Sequence, residues 1–155
     1  MKMIVTDSGA IDLAADANGL LQEDTLHSAI IISLLTDRRA AVDDALPDAP
    51  ERKGVLSPDR RGWCGDALAE VKGDLIGSRL WLLEREKQTE ETRRRAIFYA
   101  REALQWLIDD GHAVEIAIDA EWVGNDGRLN MLINVTEPDG SVFSMKVLVG
   151  GTYAL

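Results

Sequence analysis

The spacing of apolar residues changes once along this chain, near Gly111, from a helical repeat to a two-residue repeat. Ahead of that point Ala96, Ile97, Ala100, Leu104, Leu107 and Ile108 recur at intervals of three and four, which predicts an amphipathic helix. Thr89 stands where an N-cap is needed, Glu90 and Glu91 fall in the first turn where the helix dipole favours them, and Gly111 suits the C′ position. Beyond it Val114, Ile116, Ile118, Ala120 and Trp122 alternate with Glu115, Ala117, Asp119, Glu121 and Val123. Gly124-Asn125-Asp126-Gly127 then marks a turn. Leu129, Met131, Ile133 and Val135 alternate in the same way up to Glu137-Pro138-Asp139-Gly140, and residues 141–149 complete a third strand. The fold class is therefore α+β, with helices packed on an antiparallel C-terminal β-meander.

The first half is less regular. Met3-Ile4-Val5 and residues 10–14 flank the turn signal Asp7-Ser8-Gly9, so a short N-terminal hairpin is expected. Asp24-Thr25 precedes Leu26, Ala29, Ile30, Ile31, Ile32, Leu34 and Leu35, a capped helix of about 11 residues. Its apolar arc is too wide for a surface helix, so it should lie in the core or under a partner. From Asp43 to Trp63 periodicity vanishes and three of the four prolines accumulate, giving a loop of about 20 residues. Loops of that length are usually functional or ordered by something else, and proline favours an extended arm here. Leu80-Trp81-Leu82-Leu83 then forms a dense apolar cluster, read as a short helix ending near Glu84-Arg85-Glu86-Lys87.

Length and composition add limits. The 155 residues fit one domain spanning residues 1–155, and 46% apolar with 28% charged residues is ordinary globular composition. The formal charge of −10 is concentrated at the two ends while the middle is balanced, so free nucleic acid would be repelled and a basic protein face accommodated. One cysteine, Cys64, excludes an internal disulfide and a Cys-based zinc cluster, and it is expected to be a buried small apolar thiol. No run of 18 apolar residues occurs and the N-terminus lacks a signal-peptide pattern, which points to the cytosol of the host and away from a membrane.

Candidate chemistry is sparse. His27 and His112 have no ligand neighbours at metal spacing, and Asn125-Asp126-Gly127 lacks the rest of a calcium loop. Glu115, Asp119 and Glu121 share one strand face, and glycoside hydrolysis needs two carboxylates about 5–9.5 Å apart. Among 27 acidic residues some pair meets that spacing by chance, so a solvated sheet face is the better reading and no catalytic residue, metal or cofactor is assigned. Arg93-Arg94-Arg95 spreads around a helix with Glu90 and Glu91 in reach, a salt-bridged face rather than a nucleic-acid site. In Arg60-Arg61-Gly62-Trp63-Cys64-Gly65-Asp66 the glycines permit turns and the indole can pack on the core, anchoring the long loop. The same stretch could also offer Arg60 and Arg61 to an acidic partner with Trp63 as the anchor of that contact.

Arg61 through Asp66, Gly77-Ser78-Arg79-Leu80-Trp81-Leu82-Leu83, the helix from Thr89 to Trp106 and the hairpins at Gly124–Gly127 and Pro138–Gly140 together resemble the small baseplate proteins of Mu-like contractile-tailed phages. The resemblance runs from Leu13 to about Val149, with Cys64 standing where family members often carry a second Trp. That family is similar to the wedge component of larger contractile phages, often labelled lysozyme-like, and to its counterpart in type VI secretion baseplates. The resemblance implies a structural role in the virion tail baseplate, assembled in the bacterial host cytoplasm, joining wedge proteins near the hub and giving the first tail sheath subunits a surface to build on. The lysozyme-like label leaves a peptidoglycan glycoside hydrolase as the alternative. The last strand has apolar groups on both faces and only Lys146 as an edge guard, so its border suits pairing with another chain's strand, with Phe143 and Met145 setting selectivity.

Overall fold

The computed structural model describes residues 3–5, 11–13, 25–47, 59–69, 73, 75–125 and 127–149. Strands β1 (Met3–Val5) and β2 (Ile11–Leu13) pair antiparallel, as the turn signal between them implied. Helix α1 (Thr25–Leu35) buries Ile30, Ile31 and Leu34 completely or nearly so, and it also buries Ser28 and Ser33. That accounts for its all-round apolar sequence, except at Ile32, which faces out.

Helix α2 (Glu90–Leu104) starts where the sequence places it. Thr89 is extended and its side chain accepts the Thr92 backbone N–H at 3.1 Å, satisfying one of the donors the first turn leaves unpaired. The buried stripe is Thr92, Ala96, Tyr99, Ala100, Ala103 and Leu104, with Ile97 at its margin. Instead of running unbroken to Gly111, the helix gives way at Gln105 to a single further turn, α3 (Trp106–Asp109). Gly111 follows with φ +77°, the left-handed C-terminal conformation that glycine adopts without strain.

Strands β3 (Glu115–Val123), β4 (Arg128–Thr136) and β5 (Val142–Val149) form an antiparallel sheet in the order β3-β4-β5. The register sets Ile116, Ile118, Ala120 and Trp122 against Val135, Ile133, Met131 and Leu129, and these against Phe143, Met145, Val147 and Val149. Every apolar residue of that face therefore turns toward the helices. Helix α2 lies over β3 and α1 over β5, and their side chains join the buried β4 row in one cluster. Val114 stays outside the strand and is exposed.

The arginine run behaves as helix surface. Arg93 donates to Glu90 through Nε (2.9 Å) and Nη2 (2.8 Å), Arg94 reaches the same carboxylate at 3.2 Å, and Arg95 turns back to Glu86 at 3.2 Å. The hydrogen bond from Arg93, with smaller help from Arg94, holds the Glu90 carboxyl down to about 2. A carboxyl whose folded value lies below its unfolded one near 4.5 stabilises the fold fully above that pH and loses the contribution as pH falls toward 2. Glu90→Gln is accordingly expected to flatten the fall in stability across that acid window and to leave the pH 7 to 8 plateau parallel to the parent's. Urea midpoints measured from pH 2 to 8 check this, and an unchanged acid slope would contradict it.

Candidate partner-binding surfaces

Two short segments meet beside the end of α1, and arginines hold them there. Residues 36–38 and 77–78 form a parallel bridge: Ser78 N–H donates to Thr36 C=O at 2.8 Å and Arg38 N–H to Ser78 C=O at 2.9 Å. Ser78 Oγ also donates to Leu34 C=O at 2.6 Å, closing the C-terminus of α1. Leu80–Leu83 then forms a 3-10 turn that buries Leu80, Trp81 and Leu82, and the Trp81 indole N–H reaches Arg38 C=O at 2.8 Å.

Arg79 sits at the centre. Its guanidinium binds Glu102 of α2 in a two-pronged contact (2.9 and 3.0 Å), binds both oxygens of Asp44 at 3.1 Å, and lies 4.7 Å above the Tyr99 ring. Burial alone would lower its pKa, but the hydrogen bonds to Glu102 and Asp44 outweigh that and raise it above the ordinary arginine value. One cation thus ties the segment 41–47 to the long helix.

Arg60 and Arg61 are engaged in the same way. Arg60 donates to the Ala41 and Val42 carbonyls, and Ala40 N–H returns a bond to Arg60 C=O at 3.1 Å. Arg61, at φ +40°, donates to Asp37 (2.6 Å) and Glu84 (3.1 Å) with its guanidinium 4.8 Å from the Trp81 ring. The described ends of the long loop, 43–47 and 59–63, are therefore clamped, while residues 48–58 of that expected loop lie outside the described residues. Trp63 is half exposed and its ring lies against Gly65, where a Cβ would come within 2.0 Å of it. Cys64 is exposed, contrary to the expectation of a buried thiol: the short 3-10 turn Cys64–Leu68 buries none of its residues, so small apolar character alone does not carry the thiol inside.

The two borders of the three-stranded sheet differ. On β3 the Ala120 carbonyl, which faces away from β4, accepts Arg93 Nη1–H at 3.0 Å, and the Trp122 indole N–H bonds Thr89 C=O at 3.3 Å. Arg93 of α2 thus occupies one main-chain acceptor of that border. On β5, the turn closes with Gly140 N–H on Glu137 C=O and Glu137 N–H on Ser141 C=O, both 2.9 Å. Alternation along the ladder from that point makes Phe143, Met145, Val147 and Val149 bond β4 and turns the N–H and C=O of Val142, Ser144, Lys146 and Leu148 outward. Among the described residues no strand pairs with that border.

Phe143 and Met145 both point to the helix side. Met145 is buried, and Phe143 is half-buried and meets the His27 ring edge-on at 6.0 Å. The groups bordering an incoming strand on the open face are instead Val142, Ser144, Lys146 and Leu148. Glu115, Asp119 and Glu121 stand exposed on that open face rather than in a cleft. Among the described residues no three His, Cys, Asp or Glu side chains converge on a metal position, and no helix is long and apolar enough to cross a membrane. Sequence reading gave Arg79 no role of its own; its signal was a cation placed directly before the buried run Leu80-Trp81-Leu82.

Residues 26–142, the span of α1 through the start of β5, match the family described as Phage protein GP46, and the chain belongs to that family. Baseplate protein gp46 of Escherichia phage Mu is 45% identical over 139 residues, covering 90% of this chain and 88% of the Mu protein. The Mu-like prophage FluMu protein gp46 of Haemophilus influenzae is 36% identical over 137 residues, 86% of this chain and 84% of its relative.

Proposed function

We propose that this chain is a structural component of a contractile phage tail baseplate, residing in the virion tail and assembled in the cytoplasm of the bacterial host. It binds neighbouring wedge and hub proteins, and it helps start the sheath by adding an extended segment of a sheath or wedge neighbour to the border of β5. The observation that carries this reading is the asymmetry of the sheet: Arg93 takes an outward acceptor on the β3 border, and the β5 border turns out main-chain groups at Val142, Ser144, Lys146 and Leu148 with which no strand pairs among the described residues. The kinship with the Mu baseplate protein supports the setting. No reactive group, metal or cofactor is called on, because strand addition draws its strength from main-chain hydrogen bonds.

Ser144→Pro tests the contact without touching the β4–β5 ladder. Its N–H points outward, so proline removes one donor from the open border and places its ring in the path of an added strand. The purified chain is expected to keep its stability within about 1 kcal/mol, since only the exposed bond from Ser144 Oγ to Asn134 is lost with it. Phage carrying the change should yield few infectious particles, with Ser144→Ala restoring them. Normal tails with proline at 144 would remove the strand-addition mechanism.

A further inference from the structure

A groove of about 770 Å³ opens on the opposite side of the helical layer from the sheet, between α1, α2–α3 and the segment around Ile76. Its apolar surface is Ile32 (40% exposed), Ile76 (36%), Phe98 (60%) and Trp106 (37%), with Ala29 and Ala103 between them. Four large apolar side chains left open in one concavity are unlike the scattered exposure of an ordinary surface. Trp106 is already fixed in place: its indole N–H donates to Ser33 Oγ at 3.1 Å, and its ring meets His112 edge-on at 5.8 Å. An ordered, half-covered indole at the centre of an apolar surface is what a binding anchor requires, since little side-chain freedom remains to be lost on contact.

The lining also carries polar groups. Arg38, Arg101, Glu102 and Gln105 line the groove as well, and Asp109 and Asp110 bring two carboxylates to it at the end of α3. Two of its walls are helices, whose main chains are paired internally, and in the third the Ile76 N–H is already taken by Asp66 Oδ1 at 3.1 Å, so an extended segment would leave most of its own N–H and C=O groups unpaired against apolar side chains. A helix satisfies its main chain internally and can present a stripe of apolar residues to the slot. The acidic end and the chain's charge of −10 favour a basic occupant and oppose a second copy of this chain.

We infer that this groove seats an amphipathic helix from another baseplate chain, its apolar stripe over Trp106 and Phe98 and a Lys- or Arg-bearing end against Asp109 and Asp110. The inference rests on the baseplate reading and assigns a second contact, distinct from the β5 border. The test replaces Phe98, which is exposed, with the photoreactive p-benzoylphenylalanine in phage-producing cells; tails are purified and irradiated, and the joined peptide is sequenced. A peptide from a different baseplate chain, with apolar residues at i, i+3 or i+4 and i+7 and a basic end, is expected. Combining Asp109→Lys with Asp110→Lys should lower the cross-linking yield by about tenfold, because like charges then meet. Tails that contain the chain but show no cross-link, or one to this chain itself or to a peptide without that pattern, overturn the groove assignment alone. Tails from which the chain is absent overturn the baseplate reading and this inference with it.

Discussion

Gly77→Ala is expected to destabilise the fold by on the order of 3–5 kcal/mol, far more than a single added methyl group usually does. Gly77 has φ +101°, where an L side chain already costs about 1–2 kcal/mol. A Cβ there would also stand 2.4 Å from Thr36 O and 2.9 Å from Arg38 N, so it strikes backbone rather than a side chain that could turn away. Relief requires moving residues 36–38, which breaks the hydrogen bonds joining them to Ser78, each worth about 0.5–1.5 kcal/mol. Gly73→Ala supplies the control, because φ is +93° there yet a Cβ would meet nothing within 4 Å. Urea midpoints of the two variants decide the matter: equal losses would show that backbone strain alone acts at Gly77.

The second large effect is Arg79→Ala, expected to cost about 2–3 kcal/mol. Removing the guanidinium leaves the Asp44 and Glu102 carboxylates, 14% and 32% exposed, beside each other without the cation that held them. A fully buried broken pair costs about 3–5 kcal/mol, and the partial exposure of Glu102 reduces that. Arg79→Lys should recover only part of the loss, since an ammonium cannot grip both carboxylates with the fork a guanidinium provides. Hydrogen exchange at the amides of residues 40–46 should quicken in step with the loss of stability. A variant with unchanged stability and exchange would show that the three-residue contact is incidental.

Much of this architecture follows from periodicity. The cap at Thr89 and the turns at Gly124–Gly127 and Pro138–Gly140 are local signals, and the strand pattern fixes which residues of β3, β4 and β5 face inward. What pattern could not supply is long-range pairing. Asp44, Arg79 and Glu102 are separated by tens of residues, and nothing about any one of them marks the other two. The groove is equally non-local, drawing Ile32, Ile76, Phe98 and Trp106 from four places in the chain. Arg93 shows the limit from the other side: read as helix surface, it also donates to a carbonyl on the β3 border 27 residues away. Phe143 and Met145 lie on the helix side of β5, where an apolar residue of a half-buried strand more often serves the core than a visitor.

A sheet with two vacant flanks can lengthen without limit, copy upon copy, which is how ordered aggregates grow. Here Arg93 takes up the Ala120 carbonyl on one flank, which works against a second addition there. Under the strand addition proposed above, each subunit would have one docking direction along its strands, and a neighbour would join it from the β5 side.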